Sequence, residues 1–345
     1  MLTKQVHSAV AADKVNRIAA YDLIRVFAAF SVIVIHVVNP IPLNFSSVNN
    51  YNWWVRPFYE AVFRSGIPLF IMLTGALLLP KATGVQFVKA RVLRVLVPLC
   101  FWTLVYLVAR NELKEITVSA YLNNLIHGST FHFWYVYFIL AVYIAMPLLY
   151  VLVHKIQVHT VKLFLLICLV TLTSYFINTD TTVGYLLNYS IYSLYLVFGY
   201  AISSSNKFGW LSSAKVGLFL FCIGTLITFI GSVYPTLNLT TEALFQSTST
   251  HIFVKSVGAW IMLHSLASKI SISWQKLLTN ISKYSFAIYL MHTLVLEHII
   301  IARLAINHSF LSPVLGVLIS SLLTFIVSHL ITFTLDKLPY GKYTH

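Results

Sequence analysis

YDLIRVFAAFSVIVIHVV, residues 21–38, is the stretch whose reading decides the fold. It lies within an almost unbroken apolar run over about 19–39, long enough for a helix of roughly 30 Å, the thickness of a bilayer's hydrocarbon core. A strand of a membrane barrel would alternate polar and apolar residues over about ten positions, and this run does not. It follows a basic leader, residues 1–18, and shows no small-residue cleavage site, so it reads as an uncleaved signal anchor.

The rest of the chain has the same character. Of its 345 residues 59% are apolar and 9% charged, with a mean hydropathy of +0.83. A soluble domain carries roughly 25% charged residues, so this surplus of apolar surface requires lipid to cover it. Further apolar runs lie near 58–79, 95–110, 132–153, 161–178, 184–203, 214–235, 250–268, 284–303 and 312–335. The expectation is an all-α, polytopic integral membrane protein with about ten transmembrane helices, forming a single domain over 1–345.

Lys and Arg resist translocation and accumulate in cytoplasmic loops. With both termini cytoplasmic, 16 of the 23 basic residues fall on the cytoplasmic side, six on the other and one, Arg25, inside the first span. An odd number of spans would scramble that asymmetry. The formal charge of +14 is therefore read as anchoring to anionic membrane lipid, with no nucleic-acid partner, because the cations are spread one or two per loop. Lys89, Arg91 and Arg94 form the one denser group. Cys100, Cys168 and Cys222 lie in apolar spans without paired spacing, so neither a disulfide framework nor a metal knuckle is expected, and they read as core filler.

A charge inside a span costs at least a few kcal/mol and is seldom kept without a use. Arg25 and His36 are eleven residues apart, which is three helical turns plus about 20° and roughly 16 Å of rise, so they share a face at different depths. An arginine suits a phosphate or carboxylate, and an imidazole suits proton transfer. The structural alternative is a snorkelling arginine and a histidine bonded to a neighbouring helix.

That arginine and histidine, separated by ten residues in the first span, resemble the signature of membrane-bound acyltransferase family 3, bacterial O-acyltransferases that modify cell-surface glycans. Four further segments agree in order: SGIPLFIMLTGALLL (65–79), RVLRVLVP (91–98), HFWYVYFILAVYIAMPLL (132–149) and KYSFAIYLMH (283–292). The resemblance implies a multi-pass enzyme of the bacterial cell membrane. Its reaction would be transfer of an acyl group, usually acetyl from cytoplasmic acetyl-CoA, to a glycan hydroxyl on the outer side. Acetyl-CoA is the only cofactor implied, and no metal. Some relatives carry a fused extracytoplasmic domain; its absence before His345 leads to the expectation that the acceptor reaches the membrane domain directly or that a separate extracytoplasmic partner protein completes the transfer.

On this reading His36 is the catalytic residue, either as general base toward the acceptor hydroxyl or as carrier of the acyl group. Arg25, Arg91 and Arg94 would bind the CoA phosphates through guanidinium forks, although anchoring to the cytoplasmic leaflet also explains the last two. His132, Trp134, His292 and Glu297 are supporting candidates. Glu297, about 140° round the helix from His292, does not share its face. His132 and Trp134 read as an interfacial aromatic belt or as an acceptor-stacking surface. Glu60 and Arg64, at i and i+4, read as a structural pair. His251 and Lys255 repeat that spacing without an assigned role, while His264 and Tyr185, Tyr189, Tyr192 and Tyr195 read as core packing. The rival class is a secondary transporter or exporter of a glycan precursor, which would also bury ionisable residues at mid-membrane but should show inverted repeats.

Overall fold

The computed structural model describes residues 2–41, 52–110, 117–155, 160–173, 182–204, 213–234 and 244–344. Among them the regular elements are all helical: α1 Leu2–Val38, α2 Val55–Phe63, α3 Gly66–Leu78, α4 Gly84–Ala109, α5 Val118–His127, α6 Trp134–Lys155, α7 Thr160–Thr173, α8 Thr182–Ser204, α9 Ala214–Val233, α10 Thr250–Ala267, α11 Ile272–Lys283, α12 Ser285–Val295 and α13 Pro313–Asp336. Every apolar run of the sequence carries a helix. Among the described residues six stretches are long and apolar enough to cross a membrane, or seven if α11 and the helical segment Ser285–Ile301 count as one span.

That is fewer than ten, for local reasons. At fourteen residues α7 reaches about 21 Å, short of the hydrocarbon thickness, and residues 174–178 of the expected fifth span lie outside the described residues. The eighteen residues of α10 include His251, Lys255 and His264, which dilute its apolarity. The second span keeps its length as Val55–Lys81, although α2 ends at Phe63 and α3 starts at Gly66, with Arg64 and Ser65 in the turn between them. A further helix, α5, fills a stretch expected to be loop, and its start is capped by Thr117 Oγ1, which accepts from Ala120 N at 3.0 Å.

Bilayer residence is written into individual helix faces. Along α9 the residues Leu218, Phe219, Ile223, Leu226, Ile227 and Ile230 point outward, while Gly217, Gly224, Thr228 and Ser232 are buried. Likewise α13 exposes Leu315, Leu322, Ile326 and Leu330 and buries Ser320, Ser321, Thr324, Ser328 and Thr332. A soluble helix would show the reverse. Small residues inside let backbones approach, and the hydroxyls return to their own helix, as Thr324 Oγ1 does to Ser320 O at 2.7 Å. Cys222 belongs to the outward face of α9 and is exposed, not core filler.

The helices form two compact units, each assembled from separated parts of the chain: residues 1–76 with 158–283, and 77–157 with 284–345. In the first, α1 packs on α10 through Tyr21 and Trp260, whose rings lie 5.7 Å apart, and on α2 through Phe27, Phe30 and Phe63. Close backbone crossings fix the geometry here. A methyl at Gly75 would lie 1.8 Å from Leu196 O, and one at Gly199 would lie 2.1 Å from Met72 O, so α3 and α8 touch main chain to main chain. In the second unit α4, α6, α12 and α13 surround Tyr106, whose hydroxyl donates to Leu290 O at 3.0 Å and meets Thr293 Oγ1 at 2.6 Å. Trp102 Nε1 donates to Thr344 O at 3.0 Å, which ties the last described turn to α4.

Candidate active site

On α1, Arg25 and Asp22 form a pair one turn apart, with Nη1 3.2 Å from Oδ1. Asp22 is buried, and its carboxylate is shared with α11: Ser282 Oγ donates to Oδ1 at 2.6 Å and Thr279 Oγ1 to Oδ2 at 2.7 Å. The buried anion is thus both charge-neutralised and hydrogen-bonded, which is the condition for keeping it in an apolar setting. Arg25 itself stays half-buried, so its guanidinium is oriented without being enclosed. Asp22 was legible as a carboxylate three residues before Arg25 in an otherwise apolar run, yet only its partners on α11 mark it as a positioning group.

His36 lies further along the same helix and is also half-buried. Between the two, α3 begins against α1: a methyl at Gly66 would come within 2.9 Å of Ala28 O and 3.1 Å of Ser31 Cβ. The glycine permits that approach, so the segment joining Arg25 to His36 is held rigidly by its neighbour.

Just beyond His36, a second charged group closes the end of α1. Arg56 of α2 donates from Nη1 to Ile41 O at 2.8 Å and from Nη2 to Asn39 Oδ1 at 3.1 Å. Its Nε lies 3.8 Å from Glu60 Oε1, and Arg64 Nε lies 3.1 Å from Glu60 Oε2. The Glu60–Arg64 pair expected from spacing is therefore present, but it is half of a larger arrangement. Lys255, on α10, is wholly buried and donates from Nζ to Ala61 O. One turn before it, His251 Nε2 bonds Leu244 O at 2.8 Å. Arg56 stands at the same i, i+4 spacing before Glu60 as Arg64 does after it, so its place was open to spacing within one helix; the meeting of α2 with α10 was not.

Of the remaining predicted residues, Arg91, Arg94, His132, Trp134, His292 and Glu297 belong to the second unit. Arg91 is half-buried with its Cζ 5.7 Å above the Phe87 ring, whereas Lys89 and Arg94 are exposed. His132 and His292 are brought together in the interior, ring centroids 4.8 Å apart. His292 Nδ1 lies 2.6 Å from Tyr289 O, and His132 Nε2 lies 3.3 Å from Leu290 O. A carbonyl can only accept, so the protons are assigned to those two nitrogens. Thr130 Oγ1 meets His132 Nδ1 at 3.1 Å, and Tyr289 OH donates to His132 O. His132 is thus a core residue tied to α12, whereas Trp134 is 40% exposed. Glu297 is exposed while His292 is buried; the helix widens to a π-turn over Leu296–Ile301. His264 is exposed, at the edge of the Tyr21 ring, while Tyr195 is buried; the side chains of Tyr185 and Tyr189 lie outside the described residues.

Among the described residues there is no group of three His, Cys, Asp or Glu that could hold a metal ion. The chemistry on offer on α1 is an imidazole and an oriented guanidinium, a pair that suits proton transfer beside bound phosphate or carboxylate.

The chain matches the family described as "Acyltransferase domain", acyltransferase family 3, over residues 18–333. No curated protein and no solved structure is found to match it.

Proposed function

Because the chain belongs to acyltransferase family 3, with nearly its whole length matched, we propose that it is a multi-pass membrane O-acyltransferase. In this reading it moves an acetyl group from cytoplasmic acetyl-CoA to a hydroxyl of a cell-surface or lipid-linked glycan. Ten spans with both termini cytoplasmic, in a bacterial plasma membrane, complete the proposal, and the distribution of Lys and Arg supports them.

The observation that carries the mechanism is the Asp22–Arg25 pair locked to α11 on the helix that bears His36. Neutral His36 takes the proton of the acceptor hydroxyl as its oxygen attacks the thioester carbonyl. The C–S bond then breaks, and the imidazolium returns the proton to the CoA thiolate. Arg25, Arg91 and Arg94 serve the CoA phosphates, where a guanidinium fork binds two oxygens at once.

The test is transfer of radiolabelled acetyl from acetyl-CoA in proteoliposomes. His36→Ala should lower turnover by about 10²–10⁴, the usual contribution of a general base. Arg91→Ala/Arg94→Ala should demand far more acetyl-CoA. Label retained covalently on wild type and absent from His36→Ala would make His36 the acyl carrier instead. Solute accumulation without acetyl-CoA binding or consumption would favour a transporter.

A further inference from the structure

Between α10 and α12 the chain forms α11, ISWQKLLTNISK, which is about 18 Å long and too short to cross a hydrocarbon core. It meets the helical segment Ser285–Ile301 at a bend of 66°. Its sides differ in chemistry. Thr279 and Ser282 face α1 and hold the Asp22 carboxylate. About 140° round the helix, Trp274, Leu277 and Ile281 form an apolar stripe, in which Trp274 is 62% and Leu277 44% exposed. Lys276 and Lys283 lie on the third side, and Lys269 stands just before the helix; all three are exposed. Ile272, in the first turn, is the exception, an exposed apolar residue on the lysine side. Residues 268–283 contain three lysines and no acidic residue in the sequence. An indole and leucine on one side and ammonium groups on another are complementary to the boundary of an anionic bilayer. There the ring enters the edge of the acyl region and the lysines meet headgroup phosphates.

We propose that α11 is a contact surface for the anionic lipid leaflet, and that this contact tunes the donor site through Asp22. In the topology proposed above, that leaflet is the cytoplasmic one. Lipid that holds α11 steadies Thr279 and Ser282, their hydrogen bonds fix Asp22, and Asp22 orients Arg25. The lipid contact stands on α11 alone; the tuning rests on the reading of Arg25 as a ligand of the acetyl-CoA phosphates.

Hydrogen exchange of residues 272–283 measures the contact without turnover, in phosphatidylcholine nanodiscs with or without phosphatidylglycerol, at one protein chain per disc. Phosphatidylglycerol should slow exchange across the segment. Lys269→Gln/Lys276→Gln should weaken that response at least about fivefold, the factor for one lysine beside an anionic surface, and Trp274→Ser should weaken it too. These side chains are exposed, so the variants keep the fold. Exchange indifferent to phosphatidylglycerol, or a response unaltered by the variants, overturns the proposal. Slowing that requires two chains per disc assigns the face to a second copy and does the same. Tuning is read from the KM for acetyl-CoA of the double lysine variant relative to wild type in each lipid, because an anionic surface repels acetyl-CoA from both. That ratio should rise with phosphatidylglycerol, and should not rise in an Asp22→Asn background. A rise that persists there comes from direct attraction between lysine and CoA and overturns the tuning. Lipid-dependent exchange in a protein that transfers no acetyl keeps the contact surface and removes the transferase. Acetyl transfer with lipid-indifferent exchange does the opposite.

Discussion

Asp22 holds Arg25 from one helical turn away, at 3.2 Å, while the same carboxylate takes hydrogen bonds from Thr279 and Ser282 more than 250 residues later in the chain. The arginine's direction is therefore set by a helix on which it does not lie. Removing the carboxylate should act through Arg25 and not through the proton-transfer step. Losing a charge-assisted contact costs about 1.5–3 kcal/mol, equivalent to roughly ten- to a hundredfold in binding. Asp22→Asn is expected to raise KM for acetyl-CoA by at least about tenfold and to change kcat less than about threefold, measured by steady-state kinetics in proteoliposomes. An unchanged KM would remove Asp22 from the donor site.

The α3–α8 crossing leaves no room for a side chain. Gly199→Ala would drive a methyl to 2.1 Å from Met72 O, and Gly75→Ala one to 1.8 Å from Leu196 O. Overpacking against main chain cannot be relieved by a rotamer change, so each should cost about 3 kcal/mol or more. Gly84 offers the contrast: its φ is +74° but no atom lies near its missing side chain, so Gly84→Ala should cost only about 1 kcal/mol. Thermal unfolding in one detergent ranks the three variants, and equal losses would contradict the crossing.

Tyr106 joins α4 to α12 through one hydroxyl, to Leu290 O and Thr293 Oγ1. Tyr106→Phe keeps the ring and leaves both partners in the core without it. A loss of about 1–3 kcal/mol is expected, with unchanged acetyl-CoA affinity in the folded fraction. A selective effect on kcat would give this buried group a chemical role instead.

His132 and His292 are held by carbonyls on both sides of their contact, a packing arrangement that His292→Ala would open. Leaving buried carbonyls unmatched should lower stability by about 1–3 kcal/mol while the surviving folded protein still transfers acetyl. Full loss of transfer at unchanged stability would move the pair into the mechanism.

Outside the apolar helices, partial burial holds the His308 imidazole below its ordinary range, and its carbonyl lies 2.5 Å from where a methyl at Gly316 would sit. A folded value below the unfolded one means that the neutral form favours the fold. Stability should be full above about pH 6.5 and decline as pH falls from there toward the lowered value. His308→Gln should flatten that decline in an unfolding series against pH; an unaltered slope would assign it to other groups.

Much of this was legible because lipid imposes a one-dimensional rule: each apolar run must satisfy its own backbone, and each run carries helix among the described residues. The turn at Arg64 and Ser65 was not, nor was the 66° bend between α11 and α12, since two short helices and one long one share the same hydropathy. Spacing within one helix found Arg25 with His36 and Glu60 with Arg64. It could not find Thr279 beside Asp22, Ala61 beside Lys255 or His132 beside His292, because those partners are chosen by packing between helices far apart in sequence.

The reciprocal glycines at 75 and 199 also set a timetable. The chain must be extended by about 120 residues after Gly75 before Leu196 exists to receive it. At roughly 5–20 residues per second that is on the order of ten seconds of synthesis. Throughout that interval α3 lies in the bilayer with an open notch where α8 will fit, a transient vacancy that insertion chaperones can shield and membrane proteases can sense. A mutation there would be felt first by the nascent chain, before any finished enzyme exists to be inactive.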